Sequence, residues 1–241
     1  MCGVIGYAPL SHEVTQETSL DLHLGRMKFY AALVRESLAR GTHAVGSYQP
    51  GVGLDKTDDW RNFQKVFDTS LPLIAHTRYS TSGDWRRPEN NQPIVVDASD
   101  WMPLMTGPIA REMPKDLTIV DGPTMRRTPY LIALAFNGVI HMGTREEFER
   151  EHGVKCDSDN DGEVFLRRLE NEEPDTMILG EQWSFAGCWI VGKRLFAGRN
   201  RRRPLYRVDH LGARWYASTA DIIRRAGGPP GELVAEGVEW V

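Results

Sequence analysis

Short apolar segments of β character dominate the sequence and limit the folds open to it. They come in runs rather than in strict alternation with helical segments. The segments are CGVIGY (2–7), AVGSYQ (44–49), LIAHTRY (73–79), YLIALAF (130–136), SFAGCWIV (184–191), KRLFAG (193–198) and RWYAS (214–218). Runs of strands favour layers with mainly antiparallel sheets over a doubly wound parallel sheet. The pattern therefore predicts an α+β fold.

Two of the intervening segments carry clear helix signals. Apolar residues recur at spacings of three and four over residues 18–40, which predicts a helix with one apolar face and Gly41 as its C-cap. The residues of that face are Leu20, Leu24, Met27, Ala31, Val34 and Leu38. Thr144 and Glu147 have the spacing of a capping box, so a second, short helix is expected to end at Gly153.

The remaining sequence contains one further helix and one long irregular stretch. The run 162–171 predicts a third helix, with Ser158 or Asp159 as its N-cap. Residues 97–129 are rich in Pro, Gly, Asp and Met, and they predict an insertion over the surface, such as a lid or a partner-docking loop. No linker or internal repeat divides the sequence, so residues 1–241 are expected to form a single domain.

Composition excludes several broad classes of protein. The chain of 241 residues is 41% hydrophobic and 26% charged, which is typical of a folded domain rather than of a disordered or collagen-like chain. Its net charge of −4 argues against binding of nucleic acid or an anionic membrane by the molecule as a whole. The longest apolar run, Tyr130 to Phe136, has seven residues, against roughly 20 for a transmembrane helix. The N-terminus lacks the features of a secretory signal, so a cytoplasmic protein without a membrane span is expected.

Neither the cysteines nor the histidines have the spacing of a metal or redox site. Cys2, Cys156 and Cys188 form no C-x-x-C pair. His141, His152 and Cys156 lack a recognised ligand spacing. No metal or cofactor is therefore expected, and Cys156 and Cys188 are interpreted as structural thiols.

Arginines crowd the segment 199–207. Arg199, Arg201, Arg202, Arg203 and Arg207 fall within these nine residues, with Tyr206 among them. Such a cluster contacts phosphate or nucleic acid in some proteins, and in others it is a solvated loop or a surface that forms salt bridges with a partner. The negative overall charge favours the second interpretation and makes nucleic acid the less favoured partner.

Cys2, followed by Gly3, offers a compact catalytic unit. Removal of Met1 leaves a thiol and a free α-amine on the same residue. The α-amine, with an unperturbed pKa of roughly 7.7–8.0, takes the thiol proton near neutral pH and leaves a thiolate nucleophile. A small residue at position 2 is equally compatible with a structural role.

Short blocks of sequence strengthen the catalytic interpretation of Cys2. They are CGVIGY (2–7), RGTHAVG (40–46), AHTRYSTSG (75–83), NNQP (90–93), FNGVI (136–140) and NDGEV (160–164). In this order they resemble class II glutamine amidotransferases, the N-terminal-nucleophile glutaminase domains of amidophosphoribosyltransferase, glucosamine-6-phosphate synthase and asparagine synthetase. The resemblance implies a four-layer α-β-β-α sandwich with mainly antiparallel sheets. It also implies hydrolysis of L-glutamine to glutamate and ammonia.

The resemblance assigns roles to the reacting groups. Cys2 matches the family nucleophile, which carries a γ-glutamyl thioester after ammonia leaves. Asn137 and Gly138 match the oxyanion hole, in which a side-chain amide and a backbone N–H bind the oxygen that becomes negative. A hairpin turn is the ordinary alternative for an Asn-Gly pair.

Both ends of the amino-acid substrate are also matched. Arg78 matches the arginine that binds the α-carboxylate, and Asp161 matches the aspartate that receives the α-ammonium group. Tyr79, Thr81 and Ser82 fall where the family supplies supporting substrate contacts. An ion pair for Arg78 and helix capping for Asp161 are the alternatives.

Several features depart from the family pattern. Gly162 replaces the Ser, Thr or Cys usual between the aspartate and the glutamate, and Phe136 and Gln92 stand where some relatives have His. The sequence also lacks a phosphate-binding loop or a dinucleotide motif that would mark an acceptor domain. We therefore expect a free-standing glutaminase that passes ammonia to a separate synthase. An amidohydrolase for another γ-glutamyl or acyl amide, and an inactive binding or regulatory descendant, are the open alternatives.

Overall fold

The computed structural model describes residues 2–10, 19–63, 66–79, 84–98 and 131–241. Within these ranges the chain forms twelve strands and five α-helices. The predicted site residues Thr81 and Ser82, and the predicted insertion beyond residue 98, lie outside the described residues.

The strands form two antiparallel sheets. They are β1 (Gly3–Pro9), β2 (Ala44–Gln49), β3 (Gly53–Thr57), β4 (Leu73–Arg78), β5 (Ile94–Asp97), β6 (Leu131–Val139), β7 (Ser184–Val191), β8 (Arg194–Arg199), β9 (Tyr206–His210), β10 (Ala213–Ala217), β11 (Glu232–Leu233) and β12 (Gly237–Trp240). Sheet A has the order β11-β9-β10-β1-β4-β2-β3, and sheet B has the order β12-β8-β7-β6-β5. Each of the predicted β segments coincides with a strand, so the prediction of mainly antiparallel sheets is confirmed.

Helices cover the outer face of each sheet. They are α1 (Ser19–Ser37), α2 (Arg145–His152), α3 (Gly162–Arg168), α4 (Pro174–Gly180) and α5 (Ala220–Arg225). Helices α1 and α5 pack on sheet A, and α3 and α4 pack on sheet B. Three apolar clusters fill the two helix–sheet interfaces and the space between the sheets. The predicted four-layer α-β-β-α sandwich is therefore confirmed, and none of the described helices is long and apolar enough to cross a membrane.

Helix α1 forms where it was predicted but ends at Ser37, before the predicted C-cap Gly41, and it buries only part of the predicted face. Leu20 and Leu24, in the predicted apolar face, are exposed. Of the predicted face Val34 is buried, and the helix also buries Phe29, Tyr30 and Leu33, which that face did not include. The rings of Phe29 and Tyr30 pack edge-on against aromatic residues beneath them, so the larger aromatic contacts decide which face turns inward.

The capping signals in the second half of the chain had mixed outcomes. Helix α2 begins with the predicted capping box of Thr144 and Glu147 and ends at Gly153, whose φ of 67° is left-handed. The N-cap predicted for α3 is wrong, because the helix begins only at Gly162. The Ser158 hydroxyl donates instead to a carboxylate oxygen of the next turn, at 2.8 Å.

Candidate active site

The strand register of sheet A places Cys2 beside Arg78. Strands β1 and β4 are antiparallel with Gly3 opposite Thr77, so Cys2 faces Arg78 where the two strands end. Gly41 allows the neighbouring backbone to come equally close, since a Cβ there would lie 2.3 Å from the carbonyl carbon of Arg78. The nucleophile predicted at position 2 therefore lies beside the predicted carboxylate-binding arginine, where two adjacent inner strands of sheet A end.

Cys2 is half-buried and contacts three other segments of the chain. Its Sγ lies 3.5 Å from Tyr79 O, its backbone N–H donates to Asn137 Oδ1 at 3.4 Å, and its carbonyl accepts from Arg40 Nε at 2.9 Å. Burial raises the pKa of its thiol, while a hydrogen bond with the Tyr79 backbone and the charges of Arg78 and Arg40 act in the opposite direction. This thiol needs a nearby proton acceptor before it can react as a thiolate near neutral pH.

Asn137 and Gly138 lie within strand β6, so the hairpin alternative for this pair is wrong. Their partners in β7 are Ala186 and Phe185. A Cβ at Gly138 would lie 1.8 Å from Ser184 O, which no side chain could tolerate without displacing β7. Close packing of two strands therefore requires glycine here.

The hydrogen-bonding groups of this pair face Cys2. Asn137 is buried, its Oδ1 accepts from the Cys2 N–H, and its Nδ2 has no partner among the described residues. The backbone groups of Phe136 are bonded on the side away from β7. Because these groups alternate along a strand, the Gly138 N–H, two residues later, points to that same side. Gly138 thus lines the pocket beside Cys2, and the Asn137 side chain contacts Cys2 at the edge of that pocket.

Two residues to which the sequence assigned no site role hold the backbone of Phe136. Gln92 Oε1 accepts from the Phe136 N–H at 2.6 Å, and His76 Nε2 lies 3.1 Å from the Phe136 carbonyl oxygen. Burial and the nearby charge of Arg78 lower the pKa of His76 to about 3, so its ring is neutral and donates through Nε2. No local signal marks these roles, since only the packing of the two sheets brings the side chains to Phe136.

Arg78 is buried, and the NNQP block orients its guanidinium. Its Nη1 donates to the backbone oxygen of Asn90 and, at 2.7 Å, to Asn91 Oδ1. Burial lowers the pKa of Arg78, and the neighbouring Cys2 and Asp161 act in the opposite direction. These bonds fix the orientation of the planar guanidinium. The sequence matched NNQP to the family without showing that it orients Arg78.

Asp161 occupies the N-cap position of α3 but does not cap it, so the capping alternative is wrong. Its Oδ2 accepts from the backbone N–H groups of Ile140 and His141, at 2.6 and 3.0 Å. Burial raises the pKa of Asp161, while these two hydrogen bonds act in the opposite direction. Its Oδ1 accepts no hydrogen bond from another described residue. One carboxylate oxygen is thus fixed by the loop after β6, and the other remains to contact a ligand.

Two residues that depart from the family pattern, Phe136 and Gly162, lie against each other. A Cβ at Gly162 would lie 2.1 Å from Cε1 of the Phe136 ring. Phe136 is itself buried and stacks on Phe185, with ring centroids 5.7 Å apart. The large ring at position 136 therefore occupies the space that a side chain at position 162 would need.

A single pocket unites most of the predicted site residues. It is lined by Cys2, Arg78, Tyr79, Gln92, Phe136, Gly138, Asn160 and Asp161. Tyr79 is half exposed at its rim, where its ring stacks on His43 at 4.9 Å. Asn137 does not line the pocket but bonds to Cys2 at its edge. Thr81 and Ser82 lie outside the described residues.

The arginine cluster is bonded within the protein. Arg199 donates to Arg203 O and Val234 O, Arg202 to Gln182, Arg203 to Ser184 Oγ, and Arg207 to Glu239. Arg199 is also buried, whereas Arg201 is exposed. These internal contacts argue against a phosphate-binding loop and leave the partner-surface alternative untested.

Two buried cysteines and a group of side chains around His152 lie outside the pocket. Cys156 and Cys188 are buried, and burial raises the pKa of Cys156 to about 12. Ligand atoms of His141, Glu151 and His152 lie within 4.8 Å of one another. However, Arg168 Nη1 lies 3.4 Å from His152 Nδ1. Because a guanidinium only donates, a neutral ring there carries its proton on Nε2. That nitrogen is then no ready ligand, and we assign no metal to this group.

Comparison with known proteins identifies the fold. No protein-family profile matches the chain, and no curated protein matches it by sequence. A glutamine phosphoribosylpyrophosphate (PRPP) amidotransferase from B. subtilis, complexed with ADP and GMP, matches the whole chain with a TM-score of 0.62 and 15% identity. A structure described as the allosteric regulatory enzyme of purine biosynthesis also matches the whole chain, with a TM-score of 0.62 and 16% identity. The chain has the fold of class II glutamine amidotransferases. It spans about half of those proteins, covering 49% of the first and 48% of the second.

Proposed function

We propose that this chain hydrolyses L-glutamine to glutamate and ammonia through a thioester on Cys2. The observation that carries the proposal is Asn137, whose Oδ1 accepts from the Cys2 N–H and whose buried Nδ2 has no partner in the described part of the chain. A buried donor without a partner destabilises a fold by about 1–3 kcal/mol, so its presence next to a residue that lines the pocket supports a ligand that supplies the acceptor. A developing oxyanion is such an acceptor.

The two ends of glutamine fit the charges of the pocket. The α-carboxylate would bind the Arg78 guanidinium, and the α-ammonium group would bind Oδ1 of Asp161, whose Oδ2 is already bonded to backbone N–H groups. Opposite charges at the two ends select an amino acid over a simple amide. Tyr79, Thr81 and Ser82 are proposed to supply further substrate contacts.

The reaction begins once Met1 has been removed. The new α-amine of Cys2 accepts the thiol proton, and the thiolate attacks the γ-amide carbon. Asn137 Nδ2 and the Gly138 N–H stabilise the tetrahedral oxyanion. The C–N bond then breaks, the α-amine returns its proton to the leaving nitrogen, and ammonia departs. Water, deprotonated by the same amine, attacks the thioester, the C–S bond breaks, and glutamate leaves with the Cys2 thiol restored.

Glutamate release from L-glutamine tests the proposal directly. The Met1-processed protein should turn over glutamine, Cys2→Ala should abolish turnover, and Cys156→Ala should retain it, because that thiol lies in the core. A diazoketone analogue of glutamine should add once to the wild type and not to Cys2→Ala, as read by intact mass. Met1 retained in protein from its natural source would contradict the α-amine mechanism.

A second substrate distinguishes the proposed glutaminase from an amidohydrolase for another amide. The glutamine analogue that lacks the α-amino group cannot pair with Asp161, so its kcat/KM should fall by at least about tenfold, the equivalent of roughly 1.4 kcal/mol. Equal turnover of the two amides would favour a broader amidohydrolase. No turnover and no adduct would favour the inactive binding or regulatory descendant.

We propose further that ammonia passes to a separate synthase. The proposal is motivated by the similarity to the two proteins named above, of which this chain spans about half. Purification of the native protein from its host should recover an ammonia-using synthase or ligase. Recovery of none under several conditions would count against a separate partner.

A further inference from the structure

We propose that His76 and Gln92 are positioning residues for the oxyanion hole. Both bond to the backbone of Phe136, which directly precedes Asn137. Neither is proposed to touch substrate through these bonds. The inference rests on the proposed glutaminase function, and it names the groups that keep the two donors aimed.

The side chain of Gln92 bonds to β6 beyond the point where strand β5 ends. The pairing of β5 with β6 ends with Ile94 opposite Leu134, and the same register places Gln92 opposite Phe136. At that point the side chain of Gln92 takes the place of a strand backbone, accepting from the Phe136 N–H at 2.6 Å. The missing strand leaves room for the pocket, while the glutamine side chain keeps β6 extended.

His76 fixes the other polar group of Phe136 from the opposite sheet. It lies in β4 of sheet A, and its Nε2 reaches the Phe136 carbonyl oxygen in sheet B. Its Nδ1 is buried and has no partner among the described residues. An apolar residue would fill this core position without leaving a buried nitrogen unbonded. The bond to Phe136 is therefore the contribution that distinguishes histidine here.

The two bonds fix the orientation of the donors that follow. The Phe136 carbonyl belongs to the peptide plane that carries the Asn137 N–H, so a rotation there would swing both Asn137 and Gly138. His76 is also two residues from Arg78, and Gln92 is the residue after Asn91, which bonds to Arg78. The pair thus ties the oxyanion donors to the carboxylate-binding arginine.

Isosteric variants separate this role from bulk stability. Gln92→Met and His76→Leu remove one hydrogen bond each, and His76→Gln keeps a donor near the Nε2 position. Gln49→Met is the matched control, because Gln49 is an equally buried glutamine that bonds Asp68 and Leu71, outside the pocket residues.

The expected kinetic result is a fall in kcat rather than a rise in KM. Misaiming the donors should lower kcat about 10–100-fold in Gln92→Met and His76→Leu. KM should stay within about threefold, because the groups proposed to bind glutamine are unchanged. His76→Gln should keep most of the wild-type kcat and leave the pH profile of kcat/KM unchanged, since His76 positions the backbone and transfers no proton.

Hydrogen exchange provides a readout that does not depend on activity. Amides of the β6 segment 131–140 should exchange faster in Gln92→Met and His76→Leu, and at the wild-type rate in Gln49→Met. Kinetics like those of Gln49→Met, with β6 equally protected, would overturn the inference. If the wild type releases no glutamate, the proposed function fails, and any catalytic role for the pair fails with it. Faster β6 exchange in the variants would then show only that the pair orders the strand.

Discussion

The residues of the Cys2 pocket and the arginine cluster at 199–207 are both candidate functional groups in the sequence. In the structure they differ in whether their polar groups have hydrogen-bond partners. Four of the five arginines donate to acceptors within the protein. At the pocket, Asn137 Nδ2 is buried without a partner among the described residues. Polar groups that are satisfied internally stabilise a fold, whereas an unsatisfied buried donor awaits a ligand. The comparison therefore supports the role proposed for Asn137 and a structural role for the arginines.

The largest expected effect is on catalysis at Asn137. Asn137→Ala should lower kcat for glutamine about 10²–10³-fold, because it removes one oxyanion donor. Its midpoint of urea unfolding should change little, since Nδ2 has no partner among the described residues and Oδ1 accepts only the 3.4 Å hydrogen bond from the Cys2 N–H. A variant with wild-type kcat would contradict the role proposed for Asn137.

The packing of Phe136 against Gly162 should give the next effect. Gly162→Ser should destabilise the fold by about 1–3 kcal/mol, because its Cβ overlaps the buried ring. Combining it with Phe136→His, which has a smaller ring, should recover part of this, with a coupling of about 0.5–3 kcal/mol. Urea unfolding of both single variants and the double variant measures the coupling. Gly180→Ser is the control, because a Cβ there meets no atom within 4 Å.

The buried arginine of the cluster should behave in the opposite way to Asn137. Arg199→Met should cost about 1–3 kcal/mol of stability by leaving the carbonyls of Arg203 and Val234 without their donor. Turnover of glutamine by the folded fraction should remain at the wild-type level. A large loss of kcat with unchanged stability would give the cluster a functional role.

His76 should impose a pH dependence on stability. Its pKa of about 3 lies below the ordinary 6.5, so between these values the unfolded state binds a proton that the folded state does not. Stability is fully present above pH 6.5 and should fall as the pH drops, by up to about 1.4 kcal/mol per pH unit. Urea unfolding from pH 7 to pH 4 should show a shallower decline in His76→Gln. Parallel curves would contradict the assigned neutral ring.

The smallest effect is expected at the exposed end of the cluster. Arg201→Ala should change stability by no more than about 0.5 kcal/mol. Neither it nor Arg202→Glu with Arg203→Glu should alter nucleic-acid binding, since the wild type is expected to bind none at low salt. Measurable binding that the double variant abolishes would restore the phosphate-binding interpretation.

Local signals predicted elements better than they predicted partners. The capping box at Thr144 and the helix end at Gly153 were predicted correctly, because both depend on residues within one helix. The prediction that Leu20 lies on the buried face of α1 was wrong, because spacing alone does not show which face meets the sheet. The N-cap predicted at Ser158 was wrong because its hydroxyl found a carboxylate acceptor.

The sequence by itself determined the strands, the sandwich class and the order of the blocks that resemble a glutaminase. Only the tertiary structure decided that Asn137 lies in a strand beside Cys2, 135 positions away, and that Asp161 bonds the loop after β6. It also decided which polar groups are left without partners. The physical reason is range, because periodicity and capping act within a few residues, whereas a buried polar group is satisfied by whatever packing brings to it.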